Sequence, residues 1–251
     1  MKTSSNRIMG AAAFTAMLLA NIALPVQALA QTGGESNKPR GFCARIEEHA
    51  SRLTGTLNDR STKLETRRAD RSEKLAEKQA TRDEERETRQ SGWDAKKAEH
   101  FLKLEARATT TTQKAAVSAF RSAVTVAIDT RRAAVDAAIK AFREGVAAAI
   151  ASRKSAVDAA AAIFKSSVDR AVQKAKADCA SGLEAKTVRE TFLQSMKAAQ
   201  SKLQQDRQAI DKMKTSVEAL AKTRKAAVEK AMSDFKAAVE KAKADLKAAL
   251  Q

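Results

Sequence analysis

The chain has 251 residues, with only 8 Gly, 2 Pro, 1 Trp and no Tyr, and a net charge of +17. So few turn-forming residues exclude a sandwich, a barrel or a doubly wound sheet, each of which needs many tight turns. Ala, Lys, Arg, Glu and Asp dominate instead, the composition of long helices.

The chain opens with Lys2 and Arg7, continues with an almost wholly apolar run from Ile8 to Val26, and then carries Ala28-Leu29-Ala30. A basic start, an apolar middle and a small-x-small end read as a secretory signal peptide over residues 1–30, cleaved after Ala30. The rival reading is an uncleaved membrane anchor, since the run is almost long enough to span. Loss of Lys2 and Arg7 on cleavage lowers the net charge from +17 to +15. No later stretch is apolar enough to span a membrane. Residues 31–41 hold Gly33, Gly34, Gly41 and Pro39 among polar neighbours and read as a disordered linker.

From residue 42 onward the apolar residues repeat every eleven positions: Val124, Val135, Val146, Val157 and Val168 form one line, and Ile128, Ile139 and Ile150 a second. A third line alternates as Phe120, Arg131, Phe142, Arg153 and Phe164. Eleven residues make three turns at about 3.67 per turn, so such a stripe runs almost parallel to the helix axis. The same step appears upstream in Phe42, Leu53, Leu64 and Leu75, and downstream in Val217, Val228, Val239 and Leu250. The charged stretch after Ala76 loses the apolar pattern, which fits either a solvated helix held by ion pairs or a frayed one.

Two breaks divide the pattern. Thr109–Thr112 is a run of β-branched residues suited to caps. Ser181-Gly182 suits a helix C-terminus, with Ser181/Glu184 or Thr187/Glu190 as capping boxes for the next helix. The pairs Leu53/Val168, Leu64/Val157, Leu75/Val146, Trp93/Ile128 and Phe101/Phe120 are each equidistant from a point between Thr110 and Thr111. Val217/Val146, Val228/Val135 and Val239/Val124 are each equidistant from a point between Ser181 and Gly182. Both fold-back points fall on a break. The pattern therefore predicts an all-α fold, an elongated antiparallel three-helix coiled-coil bundle with 11-residue (hendecad) repeats over 42–251. Its helices span about 42–108, 112–180 and 184–250 and are each about 100 Å long. The rival is one continuous rod that pairs between chains, and self-association through coiled coils is a reading of the same stripes.

Cys43 and Cys179 are the two cysteines, and they fall opposite each other at the open end of the first hairpin. In an exported chain such a pair is a predicted disulfide. A redox pair usually shows Cys-x-x-Cys, which is absent, and His49 lies too far along the helix from Cys43 to complete a zinc site.

The chemistry on offer is thin. His49 and His100 both lie in the charged first helix and read as solvated surface residues. There is no glycine-rich phosphate loop, nucleophile elbow or metal-ligand cluster in the sequence, so no enzyme, cofactor, metal or small-molecule substrate is expected. A sharper candidate is the row Arg121, Arg132, Arg143, Lys154 and Lys165, every eleven residues along one line. Such a row could hold a polyanion (an envelope polymer, anionic lipid or extracellular DNA) by sequence-blind electrostatics, or it is the solvated face of a coiled coil. Trp93 reads as a core residue, since a lone aromatic makes no stacking platform.

The end of the chain, KAAVEKAKADLKAAL from Lys236, resembles late embryogenesis abundant repeats, and the Phe-bearing stripes resemble those of exchangeable apolipoproteins. Both likenesses are compositional and partial. The narrow Val/Ile/Ala faces fit helix packing better than lipid insertion. The functional expectation is an exported structural or adaptor coiled-coil protein of the cell envelope, periplasmic, wall-associated or extracellular, whose partner is an envelope protein or an anionic polymer.

Overall fold

The computed structural model describes residues 41–210 and 212–250. The expected signal peptide and nearly all of the expected linker lie outside them. The described chain is almost entirely helical, with no strand, and its long helices pack against each other. A 3₁₀ turn, Phe42–Arg45, leads into α1 (Ile46–Arg107); α2 (Thr111–Ala180), α3 (Ala185–Ala209) and α4 (Lys214–Ala249) follow. No described helix is long and apolar enough to cross a membrane.

The threonine run is a cap, as its composition suggests. The Gln113 backbone N–H donates to Thr110 Oγ1 at 3.2 Å, and Gln113 Oε1 accepts from the Thr109 and Thr110 backbone N–H groups at 3.0 and 3.3 Å. This is a reciprocal capping box that satisfies donors at the start of α2. At the other end of α2, Gly182 takes a left-handed φ of 78°. Its N–H reaches the Cys179 carbonyl, and the Leu183 N–H reaches that of Asp178, both at 3.2 Å. Those two bonds make a Schellman ending, the geometry that favours Gly. Neither capping box expected for the next helix forms. Glu184 precedes α3 without a side-chain cap, Ser181 Oγ donates back to the Asp178 carbonyl, and Thr187 lies inside the helix.

The third expected helix is broken. Ile210 is extended and Met213 is left-handed, at φ 54°. The buried line of α3 runs through Val188, Phe192, Met196, Ala199 and Leu203 and arrives at Ile210. Ile210 and Met213 are buried at the break, and Lys214 and Glu218 after it are exposed.

The chain divides into two compact units. Unit 1 is Ala149–Thr215 with the chain up to Ala69; unit 2 is Asp70–Ala148 with Ser216–Gln251. In unit 1, residue numbers rise along α1 as they fall along α2: Cys43 bonds Cys179, Glu47 pairs with Lys176 at 2.6 Å, and Arg68 with Asp158 at 2.7 Å. Its core gathers Ile46, Leu53, Phe164, Val168, Val188, Phe192, Met196 and Leu203, and Met196 and Val168 are each only 1% exposed.

In unit 2 the Phe101 and Phe120 rings meet edge to face at 6.1 Å, one of the pairs expected from the fold-back point. Here the buried apolar residues are Phe101, Val117 and four alanines, Ala108, Ala127, Ala231 and Ala242. Gly145 lets α4 approach closely, since a Cβ there would lie 2.6 Å from Leu220 Cδ2. Two expectations fail here. Trp93, expected in the core opposite Ile128, is 72% exposed, and Leu75 is 38% exposed. The inward line of α1 passes through Asp83, Arg86, Gln90, Asp94, Lys97 and Phe101 instead, so Trp93 lies one position off it. That line is polar, which is why an apolar repeat could not find it.

Candidate functional site: the cation row of α2

Each arginine of the expected row pairs with a carboxylate of α1, although Arg121 keeps 56% of its side chain exposed. Arg143 sends one guanidinium N–H to each Asp83 oxygen, at 2.9 and 2.7 Å, a bidentate pair. Arg132 donates to Asp94 at 2.9 Å, and Arg121 to Glu105 at 2.8 Å. Asp83, Asp94 and Glu105 stand eleven residues apart on α1, as Arg143, Arg132 and Arg121 do on α2. Two rows of equal step and opposite sign thus meet rung by rung, and they fix the register of a seam that offers little apolar area. Planar guanidinium–carboxylate pairing supplies direction as well as attraction.

Further groups tie into the ladder. Arg86 contacts Asp83 at 3.0 Å and Asp136 at 3.6 Å, and Lys97 contacts Asp94 at 3.0 Å. The Arg143 hydrogen bond, reinforced by the charges of Arg143 and Arg86, holds the Asp83 carboxyl below the ordinary aspartate range and raises Arg143 in turn. Hydrogen bonds from Arg132 and Lys97 lower Asp94 in the same way. Within the ladder, Arg132 Nε is buried without a hydrogen-bond partner.

The two lysines of the row, both in unit 1, behave differently. Lys154 and Lys165 pair one turn along α2 with Asp158 and Asp169, at 2.9 and 2.8 Å, with 60% and 52% of their side chains exposed. Burial opposes ionisation of Asp158, but hydrogen bonds from Lys154 and Arg68 prevail and lower its pKa.

The alternating Phe/Arg line also finds its complement. The Arg131 guanidinium lies 4.5 Å from the Phe235 ring centroid, and Arg224 lies 4.5 Å from that of Phe142. Each helix thus gives one cation and one ring, eleven residues apart, to a reciprocal cation–π pair. The sequence displayed this alternation on α2, and the matching Arg224/Phe235 step on α4 was the signal that would have found the partners. The acidic row was equally findable, by searching α1 for carboxylates at the step of the arginines.

The remaining chemistry is sparse. His49 stacks on Phe42 at 6.0 Å, and burial, then Arg45, lowers its pKa from 6.5. Its Nδ1 is buried without a partner. Among the described residues no three His, Cys, Asp or Glu side chains are grouped to hold a metal ion. A shallow hollow over Arg86, Asp136, Ile139 and Arg143 belongs to the ladder itself. No known protein family, no curated protein and no solved structure matches this chain.

Proposed function

We propose that the chain is an exported structural or adaptor protein of the cell envelope, an antiparallel three-helix coiled coil with eleven-residue repeats and no catalytic role. The observation that carries this reading is the ladder. The charged row that most resembled a ligand-binding face is engaged, at Arg121, Arg132 and Arg143, in joining α2 to α1. Its partners recur at the same eleven-residue step, so the repeat serves helix-to-helix register. The Cys43–Cys179 disulfide fits a chain that matures in an oxidising compartment, whether periplasm, wall or extracellular space. A protein of this kind acts as a spacer or as a surface for a partner protein, recognised by shape and apolar contact.

The test is recovery of partners on the full chain from an envelope extract at low and high salt. Protein partners that stay bound at high salt agree with the reading, and recovery of anionic polymer alone, shed by salt, contradicts it. Exposed Lys154 and Lys165 favour the second reading, a polyanion-binding helical protein of the envelope. Because the arginines hold the ladder, Lys154→Gln with Lys165→Gln is the clean probe. A large loss of heparin retention in that variant supports polymer binding, and unchanged retention removes these two lysines as its site.

A further inference from the structure

Trp93 is the only tryptophan in the chain, and it is 72% exposed on a described helix. At about 100° per residue, Arg82, Arg89, Trp93, Lys96, His100 and Arg107 fall within an arc of about 60° along α1. All six are exposed. The row extends about 37 Å, at about 1.5 Å per residue. Leu75, 38% exposed, stands eighteen residues before Trp93, five full turns, and so lies on the same line. No carboxylate falls within the arc. The nearest, Glu85, lies at its edge and pairs with Arg89 at 3.6 Å, both side chains being at least 60% exposed. The ladder explains the segregation: Asp83, Asp94 and Glu105 are drawn to the seam with α2, which leaves the cations on the flank.

We propose that this flank of α1 is a docking surface for an anionic phospholipid bilayer. Charge complementarity sets the sign of the partner. A line of cations on one helix meets a plane of headgroups all at once, and mobile anionic lipids can gather beneath fixed positive charges. An indole is the side chain best suited to the headgroup boundary, with its ring body apolar and its N–H able to meet an acceptor. A single stranded polynucleotide is the poorer fit, since it gains by stacking successive bases and the row offers one indole. With Trp93 and Leu75 as the only large apolar groups on the line, the contact is peripheral, held mainly by charge, and salt-sensitive. This surface is separate from the spacer reading, and either can fail alone.

Because the chain has one Trp, its fluorescence reports on this site alone. The full chain is mixed with vesicles of phosphatidylcholine, or of phosphatidylcholine with phosphatidylglycerol, each carrying brominated lipid as a short-range quencher. Quenching reads contact at Trp93 itself, whatever other part of the chain reaches the vesicle. The expected result is quenching and a blue shift on the anionic vesicles alone, lost at about 1 M NaCl. Arg82→Gln with Arg89→Gln and Lys96→Gln should need about a hundredfold more anionic lipid for the same quenching, at unchanged helicity. Arg82→Lys with Arg89→Lys should preserve it, which guards against a variant that merely folds poorly. Absence of quenching, equal quenching on neutral vesicles, or a Trp93 response to heparin or oligonucleotide but not to vesicles would each overturn the proposal.

Discussion

The two units of this chain share α1 and α2 but hold them by opposite means. Unit 1 joins Phe164, Val168, Val188, Phe192, Met196 and Leu203 in a continuous apolar core and closes it with Cys43–Cys179. Unit 2 buries mostly alanine, and its seams carry the Asp83–Arg143, Asp94–Arg132 and Glu105–Arg121 rungs and two cation–π pairs. Area explains the difference. Burial is worth roughly 25 cal/mol per Å² of apolar surface, and alanine offers little of it. Alanine faces allow close approach at almost any register, so charges must select one. In unit 1 the shapes of Phe and Met select it.

The largest effect should come from the disulfide. Replacing both Cys43 and Cys179 by Ser should cost unit 1 about 5 kcal/mol on the chain-entropy account of so long a loop. Denaturant unfolding of the variant, read with hydrogen exchange, checks this; loss confined to unit 2 amides would contradict the division.

Core truncation comes next. Met196→Ala should cost about 2–5 kcal/mol, since the side chain is 1% exposed and its surroundings are packed. Val135→Ala, half-buried in unit 2, should cost about 1 kcal/mol. Equal losses in a calorimetric comparison would erase the contrast.

Acid should act through the ladder. Asp83 and Asp94 are lowered in the fold below 3.8, so the fold binds fewer protons than the open chain. Their contribution is complete above the ordinary aspartate value and is lost as pH falls through the lowered ones. His49 is lowered from 6.5 as well, so the small share it gives unit 1 begins to fall below that pH. Asp83→Asn should remove part of the acid dependence in unit 2. A cycle with Arg143→Gln should show non-zero coupling, and additive losses would mean that the rung does not join the helices.

The smallest effects concern glycines. Gly92 has open space around its Cα, so Gly92→Ala should raise stability by up to about 1 kcal/mol through helix propensity. Gly145→Ala should gain nothing or lose, because the added Cβ meets Leu220 at 2.6 Å. The melting temperatures of the two variants should move apart.

How much of this was legible follows from the same contrast. Where apolar residues recur, register could be read: the fold-back points agree with the breaks that composition marks at Thr109–Thr112 and Gly182, and the Phe101–Phe120 contact and the opposition of Cys43 and Cys179 follow from the first of them. Where polar residues do the holding, it could not. The inward line from Asp83 to Lys97 carries no apolar mark, so the register that sets Trp93 opposite Ile128 points to the core for a residue one position off that line. The arginine row was visible, but its meaning depended on carboxylates in another helix. The break at Ile210–Met213 carries no mark in the apolar pattern, since Ile210, Met213 and Val217 keep the three- and four-residue spacing of one helix face.

Amide hydrogen exchange on the oxidised full chain, at low salt and at about 1 M NaCl, tests the contrast most directly, because salt screens exposed ion pairs and leaves apolar burial intact. The account predicts that amides of α1 between Asp70 and Arg107 exchange faster in salt while those of α3 keep their protection. Equal protection of the α1 segment at both salt concentrations, or faster exchange in α3 alone, would contradict it.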